Sequence, residues 1–368
     1  MALPRILKQL LTLPTATFEE HAVKQYIHEF CRKLQFVSVS EDRHGNLLVR
    51  YRNGPSKSRP VCFAAHMDHP GFIAQEMVGK NRVRAAFRGG VRAEFFTTAK
   101  VIFHAAEGPV TAKVSDITQA KVVRRGGLTW RVPEEAVLRV ARPVAPRTIG
   151  MWDLPDPIER DGNVYARDCD DIAGCAGMLT LLERLSRKRA ATETYCLFTR
   201  AEEVGFIGAI GAARSGTISK KWPMVAIETS SELPHARIGD GPILRVGDRL
   251  SVFDPTTTAF CERVAKALAA RRKAFKYQRK LMDGGACEST AYYAYGYAAT
   301  GVCLALGNYH NMDQRRRRIG PEYVSLNDWK LMVDWFEALA LDPGGFKDAG
   351  GSARADMEKS FKKWQNAF

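Results

Sequence analysis

Short apolar runs alternate with helix-period segments along most of the chain, and several of the runs stop at an acid or an imidazole. Val61-Cys62-Phe63-Ala64-Ala65 ends in His66-Met67-Asp68, and Tyr195-Cys196-Leu197-Phe198 leads into Glu202-Glu203-Val204-Gly205. Met224-Val225-Ala226-Ile227 ends at Glu228, and Thr300 to Leu306 runs into Gly307-Asn308-Tyr309-His310. Uninterrupted apolar runs of this length predict buried strands. Between them, the capping-box form Thr17-Phe18-Glu19-Glu20 with Val23, Tyr26, Ile27 and Phe30 predicts a helix over about 17 to 34. Phe36 to Ser40 and Leu47 to Tyr51, joined at His44-Gly45-Asn46, predict a β-hairpin. Ile172, Cys175, Leu179, Leu182 and Leu185 set out a helix of about four turns behind Asp168-Cys169-Asp170-Asp171. A small-residue helix over about 205 to 214 and a Thr-capped one over about 257 to 271 follow. The last opens at Ser325, with Asp328 in the capping-box position and Leu331, Met332, Trp335 and Leu339 on one face.

From about Gly71 to Asp161 the texture differs. Val101 to His104, Val110 to Val114, Lys121 to Val123 and Ala136 to Val140 are short β-prone runs broken by Gly and Pro, so 71–161 reads as a small all-β domain inserted into an α/β one. The host domain is then 1–70 joined to 162–342, and the Gly-rich stretch 343–368 is expected to be a flexible tail.

Composition narrows the function classes. The 368 residues are 45% hydrophobic and 26% charged, as in ordinary globular domains. The net charge of +15 is unevenly spread: residues 80–147 carry 14 Lys and Arg against 5 Asp and Glu. Eight cysteines without a CxxC pair, mostly inside apolar runs, fit reduced thiols in the cytoplasm. No run reaches the roughly 18 residues of a membrane span, and charge in the first residues argues against a cleaved signal peptide.

Two adjacent acids after a buried strand repel one another, and a cation held with other ligands removes that cost. His66, Asp170, Glu202, Glu203, Glu228 and His310 all stand at strand ends or helix starts, where open α/β sheets gather their ligands. Imidazole with carboxylate suits zinc, cobalt or manganese. Taken singly, each has a plain structural role, a strand-end histidine or an N-cap acid; on successive elements they suggest a site.

From Ile6 to Leu341 the chain resembles the dinuclear zinc aminopeptidases of the tetrahedral-aminopeptidase family, which includes glutamyl and deblocking aminopeptidases. The resemblance rests on the opening helix, His66-x-Asp68, Asp170-Asp171-x-x-Gly174, Glu202-Glu203-Val204-Gly205, Tyr309-His310 and the position of the β-rich insert. It implies an α/β fold, a mixed central sheet flanked by helices as in zinc exopeptidases, with the insert used in oligomer assembly. It also implies two divalent ions, zinc first with cobalt or manganese as alternatives. One ion is then held by His66, Asp170 and Glu228, the other by Asp170, Glu203 and His310, with Asp170 bridging. Glu202 becomes the catalytic base and Asp68 the residue that fixes the His66 tautomer. Peptides are the implied substrates, and neither nucleic acid nor membrane is an expected partner.

Several positions depart from the family pattern. Glu228 stands where Asp is usual, Ile172 where Arg often follows the acid pair, and His69 where an acid often follows His-x-Asp. Gly284-Gly285-Ala286-Cys287-Glu288 replaces a Gly-Gly-Thr-Asp stretch, so substrate sorting is expected to differ. A metallo-carboxypeptidase or N-acyl amino acid deacylase is the nearest alternative, although those enzymes carry their insert between the positions of Glu228 and His310. An inactive basic binding protein, built on the charged insert and Arg315-Arg316-Arg317-Arg318, is the alternative from another class.

Overall fold

The computed structural model describes residues 3–55, 59–97, 99–125, 128–346 and 350–367. Helices α1 (Arg5–Leu10) and α2 (His21–Cys31) precede the strands β1 (Val37–Glu41), β2 (Leu47–Asn53) and β3 (Cys62–His66). Six strands follow: β4 (Gly71–Gly79), β5 (Arg82–Arg88), β6 (Lys100–Ala105), β7 (Gly108–Arg125), β8 (Leu128–Val140) and β9 (Ile149–Trp152). Then come β10 (Ile158–Arg160), β11 (Asn163–Ala166), α3 (Cys169–Lys188), β12 (Thr192–Thr199), α4 (Ile207–Ser215) and β13 (Met224–Ser231). The remainder is β14 (Ile243–Asp248), α5 (Pro255–Arg271), β15 (Gln278–Met282), α6 (Glu288–Ala294), β16 (Ala299–Leu306), β17 (Met312–Asp313), β18 (Arg318–Ile319), β19 (Glu322–Ser325), α7 (Leu326–Leu341) and α8 (Gly350–Trp364).

One mixed sheet of eight strands organises the molecule, in the order β1-β2-β12-β3-β13-β16-β14-β15. Its centre, β12, β3, β13 and β16, is parallel. Side chains alternate across it with period two. Phe63 and Ala65 join the large core with α1, α3 and α7, whereas Cys62 and Ala64 pack on the other face with α4 and α6. Burial on both faces explains why the central strands read as continuous apolar runs. The fold is therefore α/β, helices covering both sides of a mixed sheet.

Between β3 and β10 the chain builds a closed barrel, β4-β5-β8-β7-β6-β9, in which β9 returns to β4 at Phe72 and Gly150. Phe72, Phe87, Phe96 and Trp152 fill its centre with ring centroids 4.8 to 5.9 Å apart. Val110–Val114 and Lys121–Val123, which read as separate runs, belong to the single long strand β7. Register shifts after Val114 and Ile117 interrupt the alternation there.

Other boundaries moved for local reasons. Helix α2 starts at His21 because the Thr17 hydroxyl donates to Asp68 (2.9 Å) instead of capping. Asp254, not a threonine, caps α5: it accepts the Thr257 amide at 2.6 Å, with Pro255 in the first turn. Ser325 does cap α7, accepting the Asp328 amide at 3.2 Å. Strands β14 and β15 and helix α6 lie where the sequence shows no clear period. Residues 350–364 form helix α8, exposed over 354–364, which the Gly-rich pattern of this stretch does not anticipate. All eight cysteines are free and buried. Among the described residues no helix is long and apolar enough to cross a membrane.

Candidate metal centre

The ends of the parallel strands bring the singled-out residues to one crevice. His66 is the last residue of β3, Asp170 begins α3, and Glu202 and Glu203 occupy a single 3-10 turn after β12. Glu228 lies in β13, and His310 in the turn Tyr309–Asn311 after β16. The peptide between Asp170 and Asp171 is cis.

Asp170 sits between the two imidazoles. Its Oδ1 is 3.4 Å from His66 Nε2 and its Oδ2 3.8 Å from His310 Nε2. Glu228 Oε1 is 3.6 Å from the same His66 nitrogen, and Glu203 Oε2 is 3.2 Å from His310 Nε2. The cluster thus has two ends sharing one carboxylate. His66 Nε2, Asp170 Oδ1 and Glu203 Oε1 are buried without a hydrogen-bond partner, a costly arrangement unless something else engages them. Ligand atoms of His66, Glu202 and Glu228 lie within 4.8 Å of one another, as do those of His66, Asp170 and Glu203. An N/O donor set of this kind, with orphaned atoms facing one another, fits divalent cations.

The electrostatics agree. Burial and the neighbouring acids Glu228, Glu203 and Asp68 push the Glu202 carboxyl well above its ordinary range, although His66 opposes them. Burial and Glu228 likewise push Asp170 up. Burial disfavours a charged His66, but Glu202, Asp170, Asp68 and Glu228 outweigh it and raise the ring's pKa. Protein charges alone leave an excess of negative groups, which cations at the two ends would offset.

Asp68 is held differently from a simple partner of His66. The His66 Nδ1 is 3.0 Å from the Asp68 backbone carbonyl, and the nearer carboxylate oxygen stands at 3.5 Å. That carboxylate accepts the amides of Glu202 (2.9 Å) and Glu203 (3.2 Å) and the Thr17 hydroxyl. Burial would raise its pKa, but the His66 ring and the two amides overcome it and hold Asp68 low. One buried acid therefore supports the His66 loop and both glutamates.

Other supports carry no mark of this role in the sequence. Glu322, on β19 and fully buried, accepts the Asp170 amide at 3.0 Å and the His310 amide at 2.8 Å, so it ties together the residues at both ends. His69 bridges the Asp170 carbonyl (2.7 Å) and Asn311 (3.0 Å). Glu20 accepts from Arg200 Nε and from the Ala201 amide just before the glutamate pair. Gly174 is needed because a Cβ there would stand 2.4 Å from both Asp171 carboxylate oxygens.

Comparison with known proteins agrees with this geometry. The family model of the M42 glutamyl aminopeptidases matches residues 141–314, the part that contributes Asp170, Glu202, Glu203, Glu228 and His310. A curated sequence of Acetivibrio thermocellus carrying an aminopeptidase name is 24% identical over 294 residues, 76% of this chain and 82% of its own. Over residues 141–314 the chain is similar to the M42 peptidases. The protein is a metal-dependent aminopeptidase, a hydrolase. Solved structures share the fold. The TET1 peptidase of Pyrococcus horikoshii, which can assemble into a tetrahedron or an octahedral shell, has a TM-score of 0.74 at 19% identity. That likeness covers 92% of this chain and 98% of the other. An aminopeptidase of Desulfurococcus kamchatkensis has a TM-score of 0.73 at 20% identity, over 92% and 94% of the two chains.

Glu322→Ala should leave the buried amides of Asp170 and His310 unpaired. The expected result is a loss of about 10- to 100-fold in zinc affinity by competition with a chelating dye, as for other supports behind metal ligands. Wild-type affinity would show that Glu322 only pairs backbone.

Proposed function

We propose that this enzyme removes the N-terminal residue of peptides with two divalent cations, zinc first. His66, Asp170 and Glu228 would hold one, Asp170, Glu203 and His310 the other, and Asp170 is the shared ligand. The observation that carries the reading is a small cavity of about 120 Å³ beside the cluster, lined by Asp170, Glu202, Glu228, Ser230, Arg245 and Met282. It is small against the roughly 300–1,000 Å³ of ligand pockets, and accommodates one side chain next to carboxylates that attract a free ammonium group. A chain that must begin there is cut one residue in.

Bound at the cluster, the cations would polarise the scissile carbonyl and lower the pKa of a shared water. Glu202 is the proton carrier in this reading: it takes a proton from the attacking water and returns it to the leaving nitrogen. Asp68, through the two amides it accepts, holds Glu202 and Glu203 in their separate positions. A carboxypeptidase would need a cation in this cavity to receive a terminal carboxylate. Arg245 supplies one, but it lies with the side-chain subsite, and the family match favours the amino terminus.

Arg245 also supports a preference. It is 2% exposed, donates from one guanidinium nitrogen to Ser230 Oγ at 2.7 Å, and stands 4.0 Å from Asp248. Its Nε has no partner. A buried guanidinium with a spare donor suits the carboxylate of an N-terminal Glu or Asp. We further propose that the chain self-associates, as the structurally similar TET1 peptidase of Pyrococcus horikoshii does, and that the barrel provides the contact.

Glu202→Gln should keep its metal and lose about 10²- to 10⁴-fold in kcat, the cost of a missing general base. Glu203→Gln should lose metal and regain part of its rate in excess zinc. Metal content measured beside kcat decides between them, and full activity in Glu202→Gln would sink the mechanism.

For Arg245, the comparison is kcat/KM on glutamyl and leucyl substrates across ionic strength. Arg245→Leu should cut the glutamyl preference by about 10- to 100-fold, little changed by salt because the site is buried. A preference that survives the substitution and fades with salt would transfer the effect to the basic barrel. Light scattering that gave a monomer mass at all concentrations would remove the assembly proposal.

A further inference from the structure

A second, larger cavity opens beside the first. About 570 Å³ lies between the catalytic domain, at Tyr309, His310 and Met312, and the barrel, at Arg92, Lys121 and Trp130. Ser231, Gly284 and Tyr309 line both cavities, so the two adjoin beside the cluster. The barrel wall of this groove comes from the β7–β8 hairpin. Pairing of Lys121 with Val132 and of Val123 with Trp130 places all four side chains on one face, since paired residues and every second residue point the same way. The barrel is also in direct contact with the centre: a Cβ on Gly90 would stand 3.2 Å from the His310 ring.

Resting on the aminopeptidase reading, we propose that this hairpin face binds the part of the peptide that leaves. An apolar side chain following the scissile bond lies against Trp130 and Leu128, and a carboxylate further along meets Arg92 and Lys121. Leu128 is 64% exposed, apolar surface that an extended peptide would cover. The Arg92 guanidinium lies 5.2 Å from the Trp130 ring centroid, so the aromatic and the cation form one recognition unit. Both cations have acidic neighbours, Glu94 at 3.9 Å from Arg92 and Glu134 at 3.8 Å from Lys121. These pairs are long and exposed and hold the cations weakly, leaving them free to exchange for a substrate carboxylate. That carboxylate is either the C-terminal group of a short peptide or an acidic side chain.

The test uses the full-length, zinc-loaded enzyme and substrates with one common N-terminal residue. These are the amino-acid amide, whose leaving group is ammonia, and tripeptides with a central Phe whose C-terminus is free, amidated, or amidated beyond a final Glu. For Trp130→Ala and Lys121→Glu, the readout is the ratio of kcat/KM on tripeptide to kcat/KM on amide, which cancels any general loss of active enzyme. The ratio should fall about three- to tenfold, through KM, in both variants. For Lys121→Glu the fall should vanish with the amidated peptide. Its return with the final Glu would identify the side chain as an equivalent source, and its absence would restrict the subsite to the C-terminal carboxylate. An unchanged ratio in both variants overturns the subsite, and a simultaneous change in particle mass would assign this face to contact between copies. If wild type cleaved neither amide nor peptide, the aminopeptidase reading itself would fall and take the subsite with it.

Discussion

Everything at the crevice depends on a carboxylate shared between two imidazoles. Asp170 turns one oxygen to His66 and the other to His310, with Glu228 and Glu203 on the outer sides. Buried acids in such number repel each other, and an uncompensated buried ion costs several kcal/mol. Protonating them would relieve the repulsion but discard the ligand set. Divalent cations would relieve it while keeping each oxygen charged, and they would engage the atoms of His66, Asp170 and Glu203 that lack a hydrogen-bond partner.

Holding that arrangement requires backbone that side chains do not favour. Ala201, Phe206, Asn308, His310 and Asn311 all have positive φ, and they flank the glutamate pair and His310. Conformations of this kind cost about 1–3 kcal/mol each and persist where surroundings impose them. Here the surroundings are identifiable: Glu20 on the Arg200–Ala201 turn, Asp68 under Glu202 and Glu203, and Glu322 across Asp170 and His310. The rigid sheet ends supply direction, and these buried acids supply the final placement.

How much of this was legible in the sequence follows from what each residue does locally. The central strands and the long helices announce themselves because burial on two faces or on one stripe leaves a periodic trace. His66, Asp170, Glu202, Glu203, Glu228 and His310 stand out because each interrupts such a trace at its end, and all of them do meet in the crevice. Glu322 leaves no such mark: it lies on a four-residue strand, and its partners are 152 and 12 positions away. Arg245 looks like a surface cation on a strand that the period does not reveal, yet it is buried beside the cluster. Asp68 stands out by its spacing from His66, but its bonds to the two amides arise only when β3 and β12 lie side by side. The long β7 strand is hidden by its own bulges, and with it the groove wall.

The central claim is that two cations share Asp170. Zinc-edge anomalous diffraction from crystals of the zinc-loaded enzyme tests it most directly. Two peaks are expected, roughly 3.5 to 4 Å apart as in other two-metal sites, one beside His66 and Glu228 and the other beside Glu203 and His310, each touching a different Asp170 oxygen. A single peak, or two peaks with Asp170 bound to neither or to only one, would contradict it.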